Sequence, residues 1–280
     1  MYRPLHPLYL HTIPSIIILS MLSILRVFTE YRELLSELTW REIKQRYKQS
    51  ILGYAWVIVN PLTQMIVMAF VFSKLLRFEN LGVPYPVFLY VGLLPWTLFS
   101  NSLSSSAGVL VANSGLLKKI YFPREVFVLS TIFAKIIDFF LASSVLLLFL
   151  FFYKIPITPH ILWFFPILFI QFVFIYGLGL IMAAFNLFYR DIQYLLGLVL
   201  MVWMYLSPVI YPTEMFPERY RWIFQINPMA VFINAYRQVL LGGAAPNFVS
   251  LGIALTLSVG ITVVGYSLFK KFEGIFADVV

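Results

Sequence analysis

Three observations predict an all-α integral membrane protein. The chain of 280 residues is 61% hydrophobic and only 11% charged, its mean hydropathy is +0.89, and its apolar stretches run for about 20 residues, enough to cross about 30 Å of hydrocarbon. A soluble domain carries about 25% charged residues. An outer-membrane barrel would leave short segments of alternating hydrophobicity, and these are missing. The absence of cysteine excludes a disulfide framework, a thiolate nucleophile and a thiolate metal site.

Taken in order, the first apolar run, 13–25, is short for a span and follows Arg3 and His6. It lacks a small-residue cleavage site, so it reads as an interfacial or partly buried helix rather than a signal peptide. Thr39 and Glu42 then have capping-box spacing, with Leu38 and Ile43 as the hydrophobic staple, which predicts a helix starting at Trp40. At 100° per residue Trp40, Ile43, Tyr47 and Ile51 share a narrow arc, and Arg41, Lys44, Arg46 and Lys48 fall outside it. Such a helix lies on a membrane surface. It runs without a linker into an apolar span, so it is placed to pass a push into the membrane. Residues 1–50 are therefore read as a cytoplasmic and interfacial segment, and 51–280 as the transmembrane domain.

Six spans are expected, near 51–73, 87–112, 126–152, 161–186, 192–211 and 248–269. An even number puts both termini on one side. That side receives thirteen Lys and Arg residues and the other six, with Lys135 inside a span. The positive-inside rule makes the richer side cytoplasmic. Residues 222–241 would just suffice in length for a seventh span, but Asn227, Pro228, Asn234 and Arg237 oppose it, since Arg at a span centre costs about 2.5 to 3.5 kcal/mol. A re-entrant helical hairpin on the outer side fits better, packed on protein or lining a wet cavity.

The second span is interrupted by Pro95 and turns polar at Ser100, Asn101, Ser102, Ser104, Ser105 and Ser106. Small residues and hydroxyls serve close helix packing, and the same residues can line a pore. In the third span Asp138 follows Lys135 by one turn; a neutralising or packing pair is the simpler reading, a proton-carrier pair the sharper one. The 28 Phe, 17 Tyr and 6 Trp serve lipid-facing and belt positions for the most part. Tyr54, Trp56, Trp96 and Tyr205 are candidates to offer flat apolar faces to sugar rings along a pore. The loop 113–127 carries more apolar content than a solvated turn needs: Ile120, Tyr121 and Phe122 read as an exposed knob for a partner's groove, beside Lys118, Lys119, Pro123, Arg124 and Glu125.

Other chemistries are disfavoured. The Walker A pattern is missing, so ATP hydrolysis is not expected of this chain alone. His6, His11 and His160 lack metal-ligand spacing, so no metal centre is expected. The net charge of +8 sits beside apolar spans, where anionic lipid and orientation explain it better than nucleic acid.

Several motifs in order carry a resemblance: REIKQRYKQSILGYAWVIVNPL at 41–62, NSGLLKKIYFPREVF at 113–127, FYRDI at 188–192, SPVIYP at 207–212, and Asn227-Pro228 with a later Arg237. Over about residues 27–275 the chain resembles the permease subunit of type-two ABC exporters for polysaccharides, a group that includes O-antigen, capsule and teichoic-acid exporters. The resemblance implies a homodimer of six-span subunits with two copies of a separate ATPase, which binds ATP and magnesium while this chain holds no cofactor. It implies that the interfacial helix, 40–49 with Trp40, Arg41, Lys44 and Arg46, and the loop 116–125 dock on the ATPase, and that short outer helices, about 216–241 with Tyr211, Asn227, Pro228 and Arg237 as gate candidates, cap the exit. The cargo implied is a lipid-linked glycan exported across the cytoplasmic membrane, with Arg41, Lys44 and Arg46 as candidates for its diphosphate head. Asn60 and Pro61 mark where the first span would bend. The alternatives are a drug or lipid exporter of the same architecture, an ATP-independent carrier using Lys135 and Asp138, and an enzyme acting on polyprenyl lipids, which lacks paired acidic or histidine sites.

Overall fold

A computed structural model describes residues 27–76, 82–119 and 122–279. The apolar run at 13–25 and the expected docking residues Ile120 and Tyr121 lie outside the described residues. Every regular element within them is helical: α1 Arg32–Tyr47, α2 Trp56–Leu76, α3 Tyr85–Ala112, α4 Ser114–Lys119, α5 Glu125–Phe152, α6 Phe164–Phe188, α7 Ile192–Leu206, α8 Trp222–Ile226, α9 Pro228–Leu240, α10 Phe248–Glu273 and α11 Phe276–Val279. Five of these, α2, α3, α5, α6 and α10, are long and apolar enough to cross a membrane. The expected fifth span, α7, has 15 residues and is about 22 Å long. Past it the chain is irregular over 207–212.

Burial sorts the helices. The crossing windows of α3 and α6 are 78% and 67% buried, against 17% for α2 and 22% for α5, so α3 and α6 form the core and the others surround them. Helix α3 packs on α2, α5, α6, α7 and α9. Exposed apolar side chains such as Ile66, Val67 and Phe70 on α2 and Leu198, Val199 and Val202 on α7 match hydrocarbon rather than water.

Without a hydrophobic drive between helices in lipid, close packing and interhelical hydrogen bonds hold them together. A Cβ on Gly177 would lie 2.6 Å from Thr262 Cα, so glycine is what lets α6 and α10 meet. Buried Gln171 donates to Pro95 O at 2.8 Å and accepts from Tyr236 OH at 3.1 Å, joining α6, α3 and α9. Asn186 Nδ2 donates to Ala107 O at 2.9 Å, and Tyr90 OH to Ala142 O at 3.0 Å. Ser102 and Ser106 are buried, so part of the polar half of α3 does serve helix packing.

Two expectations about the first helix are corrected. It begins at Arg32 rather than Trp40, and Thr39 is no cap: it is buried mid-helix with Oγ1 donating to Leu35 O at 2.7 Å, the back-bond open to a helical threonine. The buried face is accordingly Leu35, Leu38, Thr39 and Ile43, whereas Trp40 is 50% exposed and Ile51 fully exposed. The link to α2 is a turned joint rather than a continuous rod. Gln49 and Gly53 both adopt positive φ, 63° and 53°, a conformation that glycine takes freely and glutamine only with strain.

Helix α1 packs across α5, with Arg46 paired with Asp138 and, just before the helix, Phe28 against Phe133 at 5.9 Å. These contacts fall roughly 12 to 20 Å along α5. Since α5, at 28 residues, is about 42 Å long and exceeds the hydrocarbon by about 12 Å, the crossing lies near one boundary of the apolar zone. At that same end, Arg41 meets Asn113, Arg124 meets Glu273, and Phe188 meets Phe276. The segments that carry the thirteen basic residues thus gather there, as far as they are described.

Candidate functional site

A cavity of about 600 Å³ between α1, α2, α3, α5 and α7 gathers several of the predicted residues. Helix α2 contributes Trp56, Val57, Asn60, Pro61, Gln64 and Met68, a stripe at helical spacing. Helix α3 contributes Trp96, Thr97, Leu98, Ser100 and Asn101, helix α5 Lys135, Asp138, Phe139 and Ala142, and the remaining walls come from Arg46 and Met204. The wall therefore mixes amides, hydroxyls and two indoles with apolar side chains such as Val57, Met68, Leu98 and Phe139, and charge is confined to one corner.

That corner corrects the reading of Lys135 and Asp138 as a mutual pair. Asp138 instead takes the Arg46 guanidinium, which also reaches Glu42 at 3.3 Å, and accepts from Tyr54 OH at 3.4 Å. Lys135 has no hydrogen bond or ion pair among the described residues, and it faces the cavity. The charge network thus links α1, the joint before α2 and α5. Sequence spacing saw only the neighbours on one helix.

Of the four aromatic candidates, Trp56 and Trp96 line the cavity. Trp96 is nearly buried at 4% exposure, with Phe99 at 5.5 Å, whereas Trp56 is 40% exposed. Tyr54 sits at the charged corner, and Tyr205 is exposed on α7, away from the lining. Gln64, Thr97 and Met68 were not singled out from the sequence. An i, i+4 stripe of polar positions, Asn60 and Gln64 on α2 and Thr97 and Asn101 on α3, was the signal available.

A groove of about 760 Å³ lies between α1 and α4, lined by Leu34, Glu37, Leu38, Trp40, Arg41, Lys44, Gln45, Lys48 and Leu116. It brings together residues of both predicted docking elements, and Lys118 and Lys119 are exposed on α4. The rest of the loop differs from expectation. Phe122 is buried at 6%, edge-on to Phe127 at 5.2 Å, because its ring completes the packing at the start of α5. Pro123 is half-buried. Arg124 bonds Glu273, and Glu125 is fully buried with Lys270 Nζ donating to Oε2 at 2.8 Å. These residues form a joint within the chain instead of an exposed knob.

At the opposite end the predicted hairpin is broken at Asn227. Its side chain accepts from Met229 N at 3.1 Å and from Trp203 Nε1 at 3.0 Å, so it caps α9 while gripping α7; Pro228 takes the first helical position, where its missing N–H costs nothing. Tyr211 OH donates to Tyr205 O at 2.8 Å, and its ring packs with Phe216 and Phe224. Arg237 is 8% exposed. It donates to Pro208 O at 2.6 Å and Val209 O at 2.8 Å and lies 3.6 Å over the Phe88 ring. The irregular segment at 207–212 is held by this guanidinium, and a Cβ on Gly92 would come within 2.7 Å of it. Among the described residues there is no group of three His, Cys, Asp or Glu that could hold a metal ion.

Comparison with known proteins gives a consistent result. The family model described as "ABC-2 type transporter" matches residues 33–241. The chain is 34% identical over 249 residues to the O-antigen export system permease protein RfbA of Klebsiella pneumoniae, covering 88% of this chain and 95% of that one. Its identity to the protein of the same description from Myxococcus xanthus is 30% over 260 residues, 92% of this chain and 99% of that one. The polysialic acid transport protein KpsM of Escherichia coli is 25% identical over 247 residues, 83% and 91% of the two chains. Apolar spans around an indole-bearing cavity, with a basic helix at its mouth, are thus found in a multi-pass membrane protein that belongs to the ABC-2 type transporter family.

Proposed function

We propose that the chain is the permease subunit of an ATP-driven exporter that moves a lipid-linked polysaccharide of O-antigen type out of the cytoplasm. The observation that carries this reading is the cavity: indole faces of Trp56 and Trp96 beside Asn60, Gln64, Ser100 and Asn101 suit sugar rings, which offer apolar faces and polar edges. The relatives' names, O-antigen export permease and polysialic acid transport protein, support the same cargo class.

In this reading six spans, with α7 and the 207–212 segment completing the fifth, cross the cytoplasmic membrane with both termini inside. Two copies pair, and the aromatic path, including Tyr54 and Tyr205, is completed between them. Two ATPase subunits hold ATP and magnesium and dock in the groove at Trp40, Arg41 and Lys44 and on Lys118 and Lys119. ATP binding moves α1, and the turned joint at Gln49 and Gly53 re-aims α2, which bends at Pro61. The diphosphate head of the cargo meets Arg46 at the charged corner, and Tyr211, Asn227, Pro228 and Arg237 shape the exit. Residues 1–50 act as the force-receiving segment and 51–280 as the permease domain. The carrier alternative has less support, since Asp138 is engaged by Arg46.

The test is copurification of the chain with an ATPase subunit, followed by ATP hydrolysis with and without the lipid-linked glycan, and by export into inverted vesicles. Glycan-stimulated hydrolysis and loss of surface glycan on gene deletion are expected. An assembled pair that hydrolyses ATP while the deletion leaves surface glycan intact would overturn the cargo.

A further inference from the structure

At the inner end of the bundle the chain ties the loop between α3 and α5 to its own C-terminus through contacts that neither lipid nor a cavity explains. Lys270 Nζ donates to Glu125 Oε2 at 2.8 Å and to Glu273 Oε2 at 2.9 Å. Glu273 in turn accepts from Arg124 N at 3.1 Å, and its backbone carbonyl accepts from the Arg124 guanidinium. Phe276, fully buried, lies 5.1 Å from Phe269 and 6.3 Å from Phe188, with the Arg124 guanidinium 6.0 Å above its ring. Helix α11 packs on α4, the helix that presents Lys118 and Lys119.

Glu125 is costly where it stands. It is wholly buried, and among the described residues no other residue gives its second oxygen, Oε1, a hydrogen bond. Desolvation offsets most of the attraction in a buried ion pair, so an apolar pair of the same volume would hold this joint at least as firmly. What a charged pair adds is a single geometry: Lys270 and Glu125 meet in one register of α10 against α5, whereas apolar faces can slide. The same register is set twice, by Lys270 to Glu125 and by Glu273 to Arg124.

We propose that the end of α10 together with α11 is a clamp that fixes the α4 docking helix and the first turn of α5 into one rigid unit with the last span. Glu125, Lys270, Glu273 and Arg124 are its positioning residues, and none of them touches the cargo. A push received on α4 is then delivered to α5 and α10 together, and α5 carries Lys135 and Asp138 at the cavity. Without the clamp the docking helix would yield locally and the push would dissipate. This inference rests on the exporter reading, because it assigns the route by which force from the ATPase reaches the cavity wall.

The experiment uses the full permease–ATPase complex in proteoliposomes, with glycan-stimulated ATP hydrolysis and glycan export read side by side. Lys270→Glu is expected to leave an assembled complex that hydrolyses ATP at the basal rate, loses stimulation and exports at least tenfold less; Glu125→Lys combined with Lys270→Glu is expected to restore at least half of the export. Should reversal at buried Glu125 prevent assembly, the parent chain's lack of cysteine permits a second arm. Arg124→Cys with Glu273→Cys is expected to export less than wild type, and a short bis-maleimide bridge to bring export back toward the wild-type rate, because the bridge restores the link and the unit moves as one. Full stimulation and export in Lys270→Glu, or a bridge that fails to raise export, would overturn the clamp. Failure of wild type to export glycan would overturn the exporter reading instead.

Discussion

Two arginines at opposite ends of the molecule show how the same side chain serves two purposes. Arg237 is 8% exposed, satisfied by two backbone carbonyls and covered by Phe88. Arg46 is 23% exposed, paired with carboxylates on two different elements, and faces a cavity. The first is built into the fold, since removing it strands acceptors that nothing else can reach. The second can exchange partners, because water and an incoming anion both have access. The end held by Arg237 is therefore a fixed frame, and the cavity mouth at Arg46 is where rearrangement costs least.

The largest effect expected from breaking this contrast is at Arg237. Arg237→Ala leaves two buried carbonyls without a donor and should cost about 2 to 5 kcal/mol, read as a fall in thermal midpoint of the detergent-purified protein. Next, Gly92→Ala places a Cβ 2.7 Å from the same guanidinium and should cost about 1 to 3 kcal/mol by overpacking. A wild-type midpoint for either would show that the frame is not built on this contact.

Smaller effects sharpen the other side. Asp138→Asn should cost about 1 to 2 kcal/mol, more than an exposed ion pair because the Asp138 side chain is only 16% exposed, while lowering export more than Arg237→Lys does in protein that folds. Trp56→Ala, at a half-exposed cavity indole, should leave the midpoint in place and slow glycan export about three- to tenfold, the worth of one aromatic contact; unchanged export would remove Trp56 from the path. The smallest effect is at Thr39. Thr39→Val should shift stability by only a few tenths of a kcal/mol, since a helix-interior back-bond adds little, whereas a lost N-cap would cost about 1 kcal/mol.

Much of the architecture was legible because lipid simplifies the problem: apolar length reports spans, and the asymmetry of Lys and Arg groups the connecting segments at one end. The break at Asn227 and Pro228 was equally plain, as Pro and Asn have narrow backbone preferences. Contacts between distant segments were not. Capping-box spacing at Thr39 and Glu42 was overridden because the preceding residues, with Leu35 and Leu38, bury against α5 and extend the helix. Lys135 and Asp138, one turn apart, looked like partners until Arg46, some ninety residues earlier, was brought alongside. Phe122 looked exposed because a loop hides which of its residues turn inward.

By itself the sequence determined the membrane-embedded helical class, the basic end of the bundle and the types of side chain available to the proposed sugar path. Which of those side chains share a cavity, which carboxylate each cation takes, and that Phe122 to Glu125 close a joint with the C-terminus were decided only by tertiary structure. The physical reason is that hydropathy acts residue by residue along the chain, whereas an ion pair or a cavity wall exists only once separate helices have chosen their neighbours and their register.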